Sequence, residues 1–298
     1  MFEGLSTIAI VILAILFVAA VFIFILQVKD VIAHKDELEP KTSWVICAII
    51  GWFTNFIDTL GIGSFAPTTA LLKAFKQTDD RLIPGILNVG CCIPVITEAL
   101  IFIQKVEVEP ITLFGMLFAA AVGAWIGAGI VSRFDAQKVR LVMGVALLIT
   151  AFLMMAGIFG WMPVGGAAIG LTGAKLVFAI AINFVLGALM TAGIGLYAPC
   201  MALVYLMGMS PIVAFPIMMG SCAMLMPVAS VRFIKEKALN RKASLAITLG
   251  GIVGVFIAAF LVTSLDMTVL RWLVIVVVIY TALVMIRSYV KGKAAAQA

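Results

Sequence analysis

The chain has 298 residues, of which 64% are hydrophobic and 11% charged, with a formal net charge of +6 and a mean hydropathy of +1.25. Soluble domains carry about 25% charged residues, so this composition excludes a protein with a water-facing surface and predicts a membrane protein. The 20 Lys and Arg residues lie mostly between apolar runs, which favours anchoring of cytoplasmic loops over nucleic-acid binding.

Nine apolar runs approach the ~20 residues that a helix needs to cross a bilayer. In chain order they are 5–28, 43–62, 84–104, 111–132, 137–160, 175–194, 211–233, 243–263 and 267–288. The first run lacks a basic leader and a small-x-small cleavage site, so it predicts a retained membrane helix and not a signal peptide. Two apolar pieces, 65–75 and 197–207, are too short to cross alone, and each follows a Gly-Ile-Gly sequence.

The sequence contains two related halves. Residues 59–71, TLGIGSFAPTTAL, match residues 191–203, TAGIGLYAPCMAL, at an offset of 132, and an offset of 131 pairs Gly123 with Gly254 and Arg140 with Arg271. Such a register predicts an internal duplication. The predicted divisions are an extra N-terminal transmembrane helix and cytoplasmic loop (1–42), repeat 1 (43–160), a linker (161–174), repeat 2 (175–290) and a tail (291–298).

Loop charge distinguishes parallel from inverted repeats. If each short segment dips into the membrane and returns, the repeats are inverted and the Lys and Arg residues divide 17 inside to 3 outside; a parallel arrangement gives 13 to 7 at best. The positive-inside rule favours the inverted arrangement. We therefore predict an all-α polytopic cell-membrane protein whose repeats each have a broken helix or re-entrant hairpin plus three transmembrane helices. The N-terminus is predicted outside and the C-terminus in the cytoplasm.

The duplicated Gly-x-Gly-x-x-x-Pro pattern at 61–67 and 193–199, in a chain of this length, resembles the sulfite exporter TauE/SafE family of anion permeases. The resemblance covers about 43–290. It implies secondary transport, often outward, of sulfite, sulfonates such as sulfoacetate, or related organic anions. The family often has a longer glycine run where this chain has Gly-Ser-Phe (63–65) and Gly-Leu-Tyr (195–197).

The two breaks are candidate anion sites. A helix interrupted inside a membrane exposes backbone amides that lipid cannot satisfy, and the next helix begins with free N–H groups and the positive end of its dipole. Two inverted hairpins would aim two such ends at one substrate; the alternative is a packing kink that binds nothing. The predicted substrate-binding residues are Gly61, Gly63, Ser64, Thr68, Gly193, Gly195, Tyr197 and Cys200.

Asp58 lies three residues before Gly61, and a carboxylate inside a bilayer is a functional candidate by default. We predict that Asp58 takes up a proton and couples anion transport to the proton gradient. The alternative is that it bonds a backbone amide or lies in an aqueous vestibule. Secondary candidates, for which helix–helix hydrogen bonding is an equal explanation, are Asn55, Asn88 and Glu98.

Other residues have ordinary structural interpretations. The five cysteines lie in apolar runs, which favours helix packing over disulfides or a metal site. The small residues at 115, 119, 123 and 127 form one stripe that predicts close helix contact. We expect no catalytic residue, no cofactor and no metal, because the chain has one central Asp and its single His, His34, lies in a loop.

The leading prediction is a secondary transporter that exports small sulfur-containing or organic anions by alternating access, with proton coupling. Its partners are the anion and membrane lipid, with no nucleic acid; a homo-oligomer is left open. The alternatives are a passive anion channel and a non-transporting structural membrane protein, and an enzyme is not expected.

Overall fold

The computed structural model describes residues 5–131, 136–159, 166–190 and 195–297. Within these residues the protein has twelve α-helices and no β-strand, which confirms an all-α membrane protein. The helices are α1 (Thr7–Ala33), α2 (Trp44–Thr59), α3 (Phe65–Ala74), α4 (Ile83–Gly90), α5 (Cys92–Lys105), α6 (Pro110–Val131), α7 (Ala136–Ile158), α8 (Gly173–Met190), α9 (Tyr197–Leu206), α10 (Ala214–Lys235), α11 (Arg241–Ser264) and α12 (Met267–Gln297).

The number of segments long enough to cross the bilayer is smaller than the nine apolar runs predicted from the sequence. In the described chain, six segments are long and apolar enough to cross: Thr7–Ala33, Ile83–Lys105, Gly173–Met190, Pro211–Lys235, Arg241–Val262 and Arg271–Gly292. Helix α2 has only 16 residues, about 24 Å at 1.5 Å per residue, against a hydrocarbon core of about 30 Å. It ends before the predicted boundary at residue 62 because Gly61 and Gly63 adopt φ angles of 94° and 91°, which no α-helix contains.

The chain packs as two compact units, each drawn from both predicted repeats. Unit 1 comprises Met1–Lys105 and Cys222–Ser264, and unit 2 comprises Val106–Ser221 and Leu265–Ala298. In unit 1, α2 from the first repeat packs most extensively on α11 from the second; in unit 2, α8 from the second repeat packs on α6 from the first. The compact units and the predicted repeats are therefore different divisions of the chain, and the repeat boundaries stay a prediction.

Glycines bring these helix pairs into close contact. A Cβ added at Gly254 would lie 2.1 Å from the main-chain oxygen of Trp52 on α2, and one added at Gly123 would lie 2.0 Å from that of Phe184 on α8. Gly123 and Gly254 are equivalent positions of the two halves. The predicted contact role of the small-residue stripe is confirmed at Gly123, and its partner is α8 of the same chain.

Helices α2 and α3 of unit 1 form a helical hairpin. Thr42, just before α2, donates from Oγ1 to the main-chain oxygen of Gln77, just after α3, over 2.8 Å. The amide of Ser43 donates to Oε1 of Gln77 over 2.7 Å. The hydroxyls of Thr54 on α2 and Thr68 on α3 lie 2.9 Å apart. The chain therefore reverses at the break and returns to the end at which α2 began.

Unit 2 contains a second hairpin of the same kind. After α9, the amide of Ser210 donates to the main-chain oxygen of Ala168 over 2.9 Å, and Met209 forms an isolated parallel bridge with Ala168. Residue 168 precedes α8, so the chain after α9 returns to the point where α8 starts. The orientation of the two halves in the membrane stays a prediction.

Three loops rich in Lys and Arg meet at one end of unit 1. Arg241, at the start of α11, donates from Nε to Oδ2 of Asp30 over 2.7 Å and from its amide to Oε1 of Glu39 over 2.9 Å. Asn240 donates to Oγ1 of Thr42 over 2.8 Å. The loops around residues 29–41, 73–81 and 232–242 thus lie together, and the positive-inside rule predicts that this end faces the cytoplasm.

Candidate functional site

The break in unit 1 is shaped by backbone angles that L-residues rarely adopt. Helix α2 ends at Thr59 and α3 begins at Phe65, with Gly61 and Gly63 in positive-φ conformations between them. A Cβ added at Gly63 would meet no atom within 4 Å. The backbone angle, and not lack of space, therefore requires glycine at this position.

We expect Gly63→Ala to lower both stability and anion transport. A left-handed conformation costs an L-residue about 1–2 kcal/mol, so the melting temperature of the purified protein should fall. The matched control is Gly173→Ala at the start of α8, where φ is 58° and the space is equally open. Both variants should lose similar stability, but only Gly63→Ala should lose transport in proteoliposomes. Equal transport by the two variants would show that the break geometry serves the fold alone.

The carboxylate of Asp58 occupies the N-terminus of α3. Its Oδ1 accepts from the backbone amide of Ser64 over 2.8 Å, and its Oδ2 accepts from Oγ of Ser64 over 2.7 Å. Asp58 is 2% exposed and Ser64 is equally buried. Asp58 therefore bonds a backbone amide, which is the contact that the structural alternative expected. The positive end of α3 is therefore already occupied by a carboxyl group of the protein itself.

The corresponding end of α9 in unit 2 is different. Its N-cap residue is Leu196, which has no hydroxyl, where α3 has Ser64, and the sequence match places Met190 at the position of Asp58. Tyr197 and Cys200 lie in the first turn of α9 and are buried, 7% and 0% exposed. Gly193 lies outside the described residues. At Gly195, an added Cβ would meet no atom within 4 Å.

A second buried carboxylate lies beside the break in unit 1. Glu98 on α5 is fully buried, and its Oε1 lies 2.8 Å from Oγ1 of Thr59, the last residue of α2. Asn55, one turn earlier, donates from Nδ2 to the main-chain oxygen of Gly51 over 2.8 Å, while its Oδ1 has no partner. Residues 55, 59 and 98 therefore form one polar patch on the face of α2 that α5 covers.

Cys91 links this patch to Asp58. Its thiol is fully buried and lies near Asp58, Ser64, Glu98 and Asn55. We use the name break cluster for the residues that these contacts bring together in unit 1. They are Asn55, Asp58, Thr59, Ser64, Cys91 and Glu98.

A kink between α4 and α5 places Cys91 and Glu98. Pro94 has no N–H to donate to the carbonyl of Gly90, so the helix ladder is interrupted there. The hydroxyl of Thr248 on α11 lies within hydrogen-bond distance of that carbonyl, at 3.0 Å, and of the carbonyl of Ser244, at 3.1 Å. Helix α5 continues past Glu98 to Lys105.

The remaining predicted residues lie elsewhere or serve the fold. Thr68 pairs with Thr54 between the hairpin arms. Asn88 is half-buried on α4, and its side chain donates to the carbonyl of Pro84 in the same helix. Asn183 on α8 donates to the carbonyl of Met116 on α6 over 2.7 Å, which is an interhelical hydrogen bond.

Sequence reasoning missed Thr59 and Cys91 as members of the cluster. Thr59 follows Asn55 by four residues, so the two share a helix face. This spacing could have placed Thr59 beside Asn55 from the sequence alone. No sequence pattern places Cys91 near residue 58. Among the described residues, no group of three or more His, Cys, Asp or Glu residues could hold a metal ion.

The family model for the sulfite exporter TauE/SafE matches residues 3–154, which is more than half of the chain and contains the whole break cluster. The chain belongs to the TauE/SafE family. The match includes α1, which the sequence resemblance treated as an addition, and it ends before α8 and α9. No curated protein and no solved structure matches the chain.

Proposed function

We propose that this TauE/SafE protein is a secondary carrier that exports sulfite, sulfonates such as sulfoacetate, or similar small anions by alternating access, coupled to protons. The observation that carries the proposal is the Asp58 carboxylate on the N-terminus of α3. A backbone N–H and a hydroxyl, each donating to a separate oxygen, also suit the oxygens of a sulfite or sulfonate. The outward direction and the substrate class follow the description of the family.

In this mechanism Asp58 competes with the substrate for the same donors. An ionised Asp58 repels a second anion and keeps Ser64 occupied. Protonation removes the charge of Asp58 and weakens its acceptance of the Ser64 hydrogens, so that a substrate oxygen takes its place. Proton binding and anion binding then favour each other, and each raises the affinity for the other by the same factor. The proton moves together with the anion, so the concentration gradient of the anion drives export.

The end of α9 is proposed as a second, independent anion contact. It offers the same helix polarity without an acidic residue at the position equivalent to Asp58. An anion there displaces no carboxylate, so its binding should depend less on pH. The proposal assigns the first turn of α9, with Tyr197 and Cys200, to substrate binding and Asp58 to coupling.

Counterflow in proteoliposomes tests the function. Vesicles preloaded with unlabelled sulfite, sulfoacetate or taurine should take up the same labelled anion transiently above equilibrium, because a carrier exchanges bound substrate. Preloading with acetate and vesicles without protein serve as controls. Uptake that never overshoots would indicate a passive channel, and no uptake of any sulfur anion would contradict the proposed substrate class.

A further inference from the structure

Two lysines adopt backbone angles that are rare for L-residues. Lys76 follows α3 with a φ of 52°, and Lys237 follows α10 with a φ of 54°. At each of them, the amide of the next residue donates to the main-chain oxygen five residues before it, over 2.9 Å after α3 and 3.0 Å after α10. Glycine is the usual residue at such a helix end, because it reaches the left-handed region without a steric cost. Among the described residues, Lys76 and Lys237 are the only two that have a positive φ and are not glycine.

The second half of the chain has glycine at the position that corresponds to Lys76. Gly208 matches Lys76 at the repeat offset of 132. It follows α9 with a φ of 87°, and the amide of Met209 donates to the main-chain oxygen of Val204 over 3.2 Å. The same helix end thus forms with glycine, so the fold of the hairpin does not require lysine at position 76.

The described contacts of the chain do not account for either lysine. Both side chains are exposed, and no carboxylate of the described residues lies within ion-pair distance of either ammonium group. The negative end of each helix dipole already has a cation in the last turn, Lys73 in α3 and Lys235 in α10. Lysine is therefore present at two unfavourable backbone positions without a structural reason, and residues held in such conformations often serve a function.

The two lysines lie at one end of unit 1, where the three loops rich in Lys and Arg meet. Lys76 directly precedes Gln77, and Lys237 lies three residues before Asn240. Nδ2 of Asn240 lies 3.5 Å from the main-chain oxygen of Gln77. Because three residues span at most about 10 Å, the two flexible side chains can reach one phosphate group. The ten residues of α3 separate this contact from the break cluster.

Two aromatic rings are exposed beside the same contact. Phe75, directly before Lys76, is 55% exposed, and Trp44 is 38% exposed. The amide of Ser43, next to Trp44, donates to Oε1 of Gln77 over 2.7 Å. Exposed aromatic residues next to cations at the ends of membrane helices are typical of the level of the lipid headgroups.

We propose that Lys76 and Lys237 bind the phosphate of an anionic phospholipid, with Phe75 and Trp44 against its glycerol and upper acyl chains. A small free anion would use the ammonium groups and leave the rings without a role, whereas a phospholipid uses both. The inference goes beyond the proposed function and does not depend on it.

The difference between the two halves agrees with a lipid ligand. The loop charges predict that this end of unit 1 faces the cytoplasm, where anionic lipids are concentrated. In the second half, Gly208 and Leu176 stand at the positions of Lys76 and Trp44. Inverted repeats would place these two residues on the opposite side of the membrane, where anionic lipid is scarcer.

Thermal unfolding of the full chain in lipid nanodiscs tests the site. One set of discs contains phosphatidylcholine alone, and the other contains an equal mixture of phosphatidylcholine and phosphatidylglycerol. The wild type should melt several degrees higher in the mixture. The double variant Lys76→Gly with Lys237→Gly should melt above the wild type in phosphatidylcholine, because glycine removes the backbone cost, and the mixture should raise its melting temperature far less. Lys76→Arg, which keeps the charge, and Lys291→Gln, which removes an exposed cation of α12, should respond as the wild type does.

Native mass spectrometry gives a second measure. Wild-type protein taken from the mixed discs into detergent should retain phosphatidylglycerol in preference to phosphatidylcholine, and the double variant should lose this preference. Equal retention of the two lipids by the wild type would overturn the proposal, even if the double variant fails to fold. So would a double variant that responds fully to phosphatidylglycerol, or one that melts no higher than the wild type in phosphatidylcholine. Inorganic phosphate that raises the melting temperature in phosphatidylcholine discs as much as phosphatidylglycerol does would show a small-anion site and reject the lipid.

Discussion

Asp58→Asn should remove most of the pH dependence of anion binding while preserving the hairpin. Asparagine keeps an oxygen for the Ser64 amide and places an amide group against the Ser64 hydroxyl, which can accept. The loss of stability should stay within the ~1 kcal/mol typical of a weakened cap. In the wild type the affinity for sulfoacetate, which stays ionised near neutral pH, should fall by up to about tenfold for each unit of pH rise, because an ionised Asp58 keeps the Ser64 donors. In Asp58→Asn the affinity should stay nearly constant over that unit.

The measurement is equilibrium binding of labelled sulfite or sulfoacetate at several pH values, with counterflow under the same conditions. Glu236→Gln serves as the control, because it removes an exposed carboxylate that pairs with Arg232 far from the break. This control should keep the wild-type pH profile. If Asp58→Asn also keeps it, with unchanged transport, Asp58 is only a cap and the coupling proposal fails.

The positions of the breaks could be predicted from the sequence, because Gly61 and Gly63 impose a local conformation that needs no knowledge of the remaining fold. The positive φ angles of both residues follow from this local chemistry. The hairpin at the first break was also predicted from loop charge, and the contact between Thr42 and Gln77 agrees with it. The packing of α2 against α11 could not be predicted from the sequence, because an internal duplication does not indicate which helices of the two copies pack together.

The break cluster was only partly predictable for a similar reason. Asp58 was identified because a lone acid in an apolar run is costly wherever the fold places it. Its bond to Ser64 crosses the break, where helical spacing no longer tells which residues meet. Glu98 was named only as a secondary candidate, because its contact with Thr59, 39 residues earlier in the chain, depends on the packing of α5 against α2.

Gly254→Ala should be the most destabilising of the single substitutions considered. The added Cβ would lie 2.1 Å from the main-chain oxygen of Trp52, and a backbone atom cannot rotate away as a side chain can. Helices α2 and α11 must therefore move apart along the most extensive contact of unit 1. Overpacking of a core costs about 1–3 kcal/mol, and we expect at least the upper end of this range as a fall in melting temperature and in monodisperse yield.

Val253→Leu is the matched control, because Val253 neighbours Gly254 on α11 but is 53% exposed. It adds a methylene on the outer side of α11, and its melting temperature should stay near that of the wild type. An unchanged melting temperature in Gly254→Ala would mean that α2 and α11 are less tightly joined than this contact requires.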